Sequence, residues 1–320
     1  MCHGVAFSHD ELDDAVDFVN MYKPALQDYL QGRSTVTDFL QEFVRTNTYG
    51  NQFVFTHDEV TRRALRYCTT HEGRCPSLNV NVVDGCNIAC AHCSAAAPIV
   101  PHVVPASVKQ LVAAFKRVAT LCGEDHAPLE LNMFGGEPLL HPQLSAIIMA
   151  ARMTFPHAKL AVATNGLMLA DAQQLIKIMR KCQCGVTVSV YGPGVYFNNM
   201  PYYATAHAPA DCRLCFANPN NVTVVKASTG YDVFCCEASL WANGDIGFCY
   251  ASRCMHTFSQ VRGNPKLVDG VDFVNVHRLT SFDELDKFIN HATCSMSRYC
   301  RPAQAVPWSI STGQDSEWFE

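Results

Sequence analysis

From Leu78 onward the apolar positions change period several times. Leu78-Asn79-Val80-Asn81-Val82-Val83 alternates apolar and polar residues and predicts a strand. Val108, Leu111, Val112 and Phe115 then recur at helical spacing and predict a helix over 107–119. The alternation returns at 129–134, followed by a helix near 143–153 with Leu144, Ile147, Ile148 and Ala151 on one face. A third strand is expected over 158–163, with a helix carrying Leu175, Ile178 and Met179 after it. A fourth strand is expected over 185–191 and a fifth over 222–226. Strand and helix alternating in this way imply an α/β fold with a parallel sheet and right-handed crossovers.

The flanks read differently. Residues 1–75 are expected to be helical, with capping boxes at Ser8-x-x-Glu11 and Thr56-x-x-Glu59. After residue 230, Asn243-Gly244 stands between two short strand-like runs, which predicts a hairpin. Ser281-x-x-Glu284 then opens a helix bearing Phe282, Leu285, Phe288 and Ile289. The pattern divides the chain into a helical segment at 1–75, a strand–helix core at 76–230 and a cysteine-rich extension at 231–320.

A length of 320 residues, 48% hydrophobic and 17% charged, is ample for one or two buried cores. The net charge of −5 gives no footprint for nucleic acid. No apolar run is long enough to span a bilayer. His9, Asp10, Glu11, Asp13 and Asp14 interrupt any signal peptide early, so a cytoplasmic location is expected. The 17 cysteines are odd in number and cluster by motif, which suits metal clusters in a reducing compartment better than disulfides.

Cys86, Cys90 and Cys93 stand in a Cys-x3-Cys-x2-Cys pattern on the loop after the first core strand. Site residues of α/β folds usually lie at such strand ends. Zinc normally takes four protein ligands from two separated pairs. Three thiolates on one loop instead suit a 4Fe–4S cluster with one iron open to a small molecule. About forty residues on comes Phe134-Gly135-Gly136-Glu137-Pro138, a turn after the second strand. Its glycines would admit a close approach of backbone to ligand, and its carboxylate can pair with an ammonium group.

Together these motifs resemble the radical S-adenosylmethionine superfamily, over roughly residues 78–300. The resemblance implies a partial (β/α)6 barrel with the cofactor at the C-terminal edge of the strands. It implies that Cys86, Cys90 and Cys93 hold the cluster, and that Gly135, Gly136 and Glu137 hold the methionine end of S-adenosylmethionine. Thr164-Asn165-Gly166 matches the usual end of the third strand and makes Asn165 a cofactor contact. Ser189, ending the fourth strand, is another; the family's common Ser-x-Asp is here Ser189-Val190-Tyr191, so that carboxylate is missing. His92 falls inside the cluster loop, and His141 is explained by a His-Pro turn.

The extension resembles the auxiliary-cluster domains called SPASM and twitch. This implies a second 4Fe–4S cluster, with Cys236, Cys249, Cys254, Cys294 and Cys300 as main candidates and Cys212, Cys215 and Cys235 in reserve. The closing pair is Cys294-x5-Cys300 rather than the family's Cys-x2-Cys. Structural zinc would also satisfy four of these thiols. Cys2, Cys68, Cys75, Cys122, Cys182 and Cys184 read as plain thiols. Lys226 and Glu237 read as solvated charges near the barrel mouth.

The chemistry implied is reductive cleavage of S-adenosylmethionine to a 5′-deoxyadenosyl radical, which removes hydrogen from a substrate. Flavodoxin or ferredoxin would donate the electron. The substrate expected is a peptide or natural product, undergoing oxidation, bond formation or epimerisation. A small sugar-like or nucleoside substrate is the alternative, and an iron–sulfur or zinc protein without radical turnover is the reading from another class. No individual residue is singled out as a catalytic acid or base.

Overall fold

The computed structural model describes residues 4–33, 77–91, 93, 95–189, 191, 196–200, 238–248, 250–291, 304–307 and 309–318. Its centre is one mixed sheet. Strands β2 (Ser77–Asp84), β4 (Glu130–Gly135), β5 (Lys159–Thr164) and β6 (Cys184–Ser189) run parallel in the order β6-β5-β4-β2. The short β3 (Val104–Pro105) pairs antiparallel with the end of β2, and strand β8 (Ala238–Leu240) continues the sheet on the far side of β2, parallel to it, with Val80 opposite Leu240. This is the α/β architecture of a partial barrel, and it places all five strand ends along one edge.

The periodicity explains the layers. Val80, Val82, Leu131, Met133, Leu160, Val162, Val186 and Val188 are buried on alternate positions of their strands. Three helices follow β2, β4 and β5 in turn: α2 (Val108–Cys122), α3 (Leu144–Thr154) and α4 (Gln173–Lys181). Ser107 caps α2 by accepting from the Gln110 N–H at 3.4 Å. Its buried stripe, Leu111, Ala114, Phe115, Val118 and Leu121, packs on the sheet, and Phe115 meets Phe155 edge-on at 6.0 Å. Burying a phenylalanine like this contributes about 2–3 kcal/mol. Arg152 closes the layer by donating to the carbonyls of Cys182, Pro156 and Ala158 at 2.7–2.9 Å.

One difference from the expected secondary structure lies in the N-terminal flank. Residues 4–7 are not helical. They form β1 (Gly4–Phe7), antiparallel to β6, with Gly4 opposite Ser189. Gly185 makes this pairing possible, because a Cβ there would lie 2.6 Å from the Phe7 carbonyl oxygen. Helix α1 (Leu12–Leu30) follows, and the Glu11 carboxylate accepts from the Ser8 N–H at 2.9 Å. The helices expected within 34–75 lie outside the described residues, as does the strand expected at 222–226.

The described part of the late segment joins the central sheet. The predicted hairpin forms, with β8 and β9 (Asp245–Phe248) joined through Gly244 at φ 90°. With β10 (Phe273–Asn275) it extends the central sheet. Helix α5 (Tyr250–Arg262) leaves β9 and lies against the 3₁₀ turn Ala97–Ile99 that follows the cysteine loop. Helix α6 (Phe282–His291) comes next, with its Glu284 N–H donating to Ser281 Oγ at 3.4 Å. A separate antiparallel pair joins β7 (Tyr196–Met200) to β11 (Gln304–Pro307). Physically, the extension completes the edge of the core sheet beside β2.

Candidate active site

The end of β4 is pressed against the end of β2. A Cβ on Gly135 would lie 2.2 Å from the Val83 carbonyl oxygen, and one on Gly136 would lie 1.8 Å from that of Gly85. Backbone bonds run through the same gap: Gly136 N–H to Val83 O at 2.9 Å and Glu137 N–H to Gly85 O at 3.1 Å. Two glycines in succession let the turn after β4 seat directly on the turn that leads into Cys86. In this structure they permit close strand-to-strand packing.

That seating buries Glu137, which is 1% exposed. Three donors converge on its carboxylate. Thr164 Oγ1 donates to Oε1 at 2.7 Å, the Leu139 N–H to Oε1 at 3.0 Å, and the Asn165 N–H to Oε2 at 2.7 Å. Burial pushes the carboxyl up to about 7, against the downward pull of those hydrogen bonds. A buried carboxylate so held is pre-set to accept a cationic group.

Asn165 ties this carboxylate to the cysteine loop. Its side-chain N–H donates to Asn87 Oδ1 at 2.7 Å and lies 3.7 Å from Cys86 Sγ. The Ile88 N–H also points at Cys86 Sγ, at 3.4 Å. Burial pushes the Cys86 thiol up to about 12. Thiolate character would therefore have to come from a bound cation, which deprotonates a coordinating thiol outright. Cys93 lies within electrostatic reach of Cys86. Cys90 is buried and its backbone pairs with Ile310.

Among the described residues no three His, Cys, Asp or Glu side chains form the coordination sphere of a single metal ion. A cluster makes a different demand, because each thiolate binds its own iron. The observed donors fit that demand: soft sulfurs on one loop, with Cys86 and Cys93 in electrostatic range and one backbone and one side-chain N–H turned toward Cys86.

Sequence reasoning missed Arg253 on α5. It is buried, donates from Nη2 to the Gly135 carbonyl at 2.7 Å, and places its guanidinium carbon 3.6 Å from the Phe134 ring centroid. A lone arginine in a helix carries no sequence signal of such a contact. Next to it, Cys254 is fully buried in the core and within electrostatic reach of Cys93, and burial holds its thiol well above the ordinary range. It thus sits on the side of the first cysteine loop. The other main tail candidates, Cys236, Cys249, Cys294 and Cys300, lie outside the described residues, as do Cys212, Cys215, Cys235, His92, Lys226 and Glu237.

Further along the edge, the Trp241 and His256 rings stack at 4.1 Å. Burial pushes the His256 imidazole below its ordinary value, against the opposing influence of Asp84 and Asp245. His141 has the local role expected: it bridges Ala106 O at 2.9 Å and the Gln143 N–H at 3.0 Å. Ser189 ends β6, three strands from the cysteine loop, so it stands across the edge from Cys86. Cys122, Cys182 and Cys184 are buried in the apolar core, as plain thiols would be.

An α/β protein with a three-cysteine loop and an anchored carboxylate at adjoining strand ends is the class this geometry defines. Residues 80–195 match the model of the Radical SAM superfamily. That segment is a radical SAM domain, a family that implies a 4Fe–4S cluster and S-adenosylmethionine. It is similar to GTP 3′,8-cyclase of Nostoc punctiforme, 31% identical over 101 residues, which is 30% of this chain and 29% of that one. The corresponding protein of Microcystis aeruginosa is 28% identical over 102 residues, 31% of this chain and 30% of that one. The match thus spans under a third of either relative. Among solved structures, BtrN in an open conformation aligns with a TM-score of 0.36 at 13% identity, over 70% of this chain and 91% of that one. BtrN in complex with AdoMet and 2-DOIA aligns with a TM-score of 0.35 at 14% identity, over 76% and 97%. Among the described residues no helix is long and apolar enough to cross a membrane.

Proposed function

We propose that this enzyme cleaves S-adenosylmethionine reductively and removes hydrogen from a small polar substrate of the sugar or nucleoside kind. The observation that carries the reading is the convergence of Cys86, Asn165 and Glu137 in one hydrogen-bonded network. Cys86, Cys90 and Cys93 would hold the 4Fe–4S cluster. Glu137 would receive the amino group of the methionine moiety, while Asn165 would orient both the carboxylate and the loop. Ser189 would meet the far end of the cofactor. When bound, the cluster and S-adenosylmethionine supply a one-electron cleavage of a carbon–sulfur bond and a carbon radical that abstracts hydrogen. The chain's own contribution is to bind, orient and exclude water.

The substrate assignment draws on the two curated relatives, both named GTP 3′,8-cyclase. The polar residues Asn81 and Asp84 on β2 and His256 on α5 suit a hydroxyl-rich or heterocyclic molecule better than a peptide backbone. A peptide or larger natural product is the competing substrate, and flavodoxin or ferredoxin the proposed donor, in a cytoplasmic setting. Residues 231–320 would add a second 4Fe–4S cluster through Cys236, Cys249, Cys294 and Cys300, with zinc as the rival occupant. Cys254, the one auxiliary candidate among the described residues, would be a further ligand of that second cluster.

The test is iron, sulfide and EPR on anaerobically reconstituted protein, for wild type and for a Cys86→Ala, Cys90→Ala, Cys93→Ala variant. Iron should fall from about eight to about four per chain, each cluster holding four. Release of 5′-deoxyadenosine should require these cysteines and should be stimulated by a nucleotide or amino-sugar panel. Stimulation by peptides alone would overturn the substrate assignment. Iron content indifferent to the three cysteines would overturn the cluster assignment.

A further inference from the structure

Residues 309–318 return to the cysteine loop from the far end of the chain. Ala91 N–H donates to Ser309 O at 2.9 Å, and Ser311 N–H donates to Ala89 O at 2.8 Å. Cys90 and Ile310 form the antiparallel bridge between them. Three residues after Cys90, the Trp318 indole N–H donates to the Cys93 carbonyl at 2.8 Å. The intervening turn is closed on itself. Glu317 accepts from Thr312 Oγ1 at 2.6 Å and from Ser311 Oγ, and Ser311 Oγ in turn accepts from the Gly313 N–H at 2.9 Å.

Trp318 is 2% exposed. Its ring meets Phe258 of α5 edge-on, with centroids 5.4 Å apart. One turn earlier on the same helix stand Arg253 and Cys254, which face the Gly-Gly-Glu turn and Cys93. Tryptophan is normally buried only where its N–H finds a partner, and here that partner is the backbone of a cysteine on the proposed cluster loop.

We infer that Trp318 is a positioning residue for the cluster loop, holding Cys93 in place through its indole N–H while segment 309–311 holds Cys90. The inference rests on the reading that Cys86, Cys90 and Cys93 bind the cluster. Cys86 is set by Ile88 and Asn165, from the core side. The other two thiols stand on backbone fixed by a segment more than two hundred residues away. Loop geometry therefore depends on the docking of 309–318 against α5.

The test is Trp318→Phe, which keeps a ring against Phe258 and loses the donor. Reconstituted wild type and variant are exposed to an iron chelator, and the unfolding midpoint of each apo protein is measured alongside. Loss of one hydrogen bond on the loop should speed iron release from the first cluster roughly threefold to tenfold, with the apo midpoint little changed. The first cluster is read separately through its EPR change on adding S-adenosylmethionine. Equal iron retention in a folded variant overturns the inference. So does a fall in apo midpoint that alone accounts for faster release, since that marks a merely structural contact. A second measurement needs no variant: in ¹⁵N-indole spectra of wild type, one of the three Trp signals, the one at Trp318, should shift and broaden on iron loading. An unmoved signal overturns the inference. Iron retention that does not depend on the three cysteines overturns the underlying reading instead, and the cysteine triple variant separates the two failures.

Discussion

Asn165 and Glu137 meet through a backbone bond: the Asn165 N–H donates to Glu137 Oε2 at 2.7 Å, in a buried setting. The contact joins the turn after β5 to the turn after β4. The Asn165 side chain then reaches the third turn, at Cys86 and Asn87. Three strand ends are thereby held in one arrangement around a carboxylate pushed up to about 7 by burial.

That value makes S-adenosylmethionine binding pH-dependent. Below about 7 Glu137 holds a proton in the free protein, and pairing with an ammonium requires that the proton leave. Affinity should weaken about tenfold for each pH unit below that point and level off above it. Calorimetry between pH 5.5 and 8 checks this. In Glu137→Gln the pH dependence should vanish and affinity should be low throughout. A wild-type affinity that is flat with pH would sink the assigned role.

The same group shapes the stability of the apo protein, with the sign opposite to that of most carboxylates. Its folded value lies above the ordinary 4.5, so the folded state retains the proton longer than the unfolded chain. The contribution is full below 4.5 and is lost as pH rises to about 7, a change of about 3 kcal/mol. Urea midpoints of apo wild type should fall across that window relative to those of Glu137→Gln.

Gly136→Ala should be among the most damaging single changes. The new Cβ would lie 1.8 Å from the Gly85 carbonyl oxygen, a backbone atom that cannot move aside without shifting the start of the cysteine loop. A loss of about 4 kcal/mol or more is expected, seen as insolubility or a collapsed unfolding midpoint. Gly123→Ala is the control. Nothing lies within 4 Å of its Cβ, and only its backbone, at φ 59° and ψ −163°, is unfavourable to a side chain, so about 1–3 kcal/mol is expected.

These contacts show which features the sequence could carry. Alternation in Leu78–Val83 and Glu130–Phe134 is a local signal, and burial on one face of a strand enforces it, so the strands fall where the pattern puts them. The Cys-x3-Cys-x2-Cys loop and the Gly-Gly-Glu turn are equally local. The tether from Thr164 and Asn165 to Glu137 is not, because a hydrogen bond across 27 or 28 residues leaves no spacing to read. Strand β1 was hidden for a related reason. Four residues pairing with an edge have no period of their own, and Gly185, the position that admits them, gains its meaning only once β6 is placed beside them. Trp318 and Arg253 lie far along the chain from the loops they touch, and an isolated tryptophan or arginine has many possible partners.

Arg253 provides the sharpest test of the link between the extension and the core. Its guanidinium is buried, donates to the Gly135 carbonyl at 2.7 Å and rests on the Phe134 ring. Arg253→Met keeps much of the side-chain volume and loses both interactions. A charged hydrogen bond contributes about 1.5–3 kcal/mol and a desolvated cation–π contact about 2, so the stability read from urea unfolding should drop by about 3–5 kcal/mol. Because the lost bond ends on the residue preceding Gly136-Glu137, S-adenosylmethionine affinity should fall as well, by roughly tenfold, while the iron held by Cys86, Cys90 and Cys93 is retained. Arg253→Lys should recover only part of either loss, since an ammonium cannot place a fork on the carbonyl and lie flat on the ring together. If Arg253→Met binds S-adenosylmethionine as wild type does, α5 only packs on the core, and the hold of the extension on the Gly-Gly-Glu turn has no bearing on the cofactor.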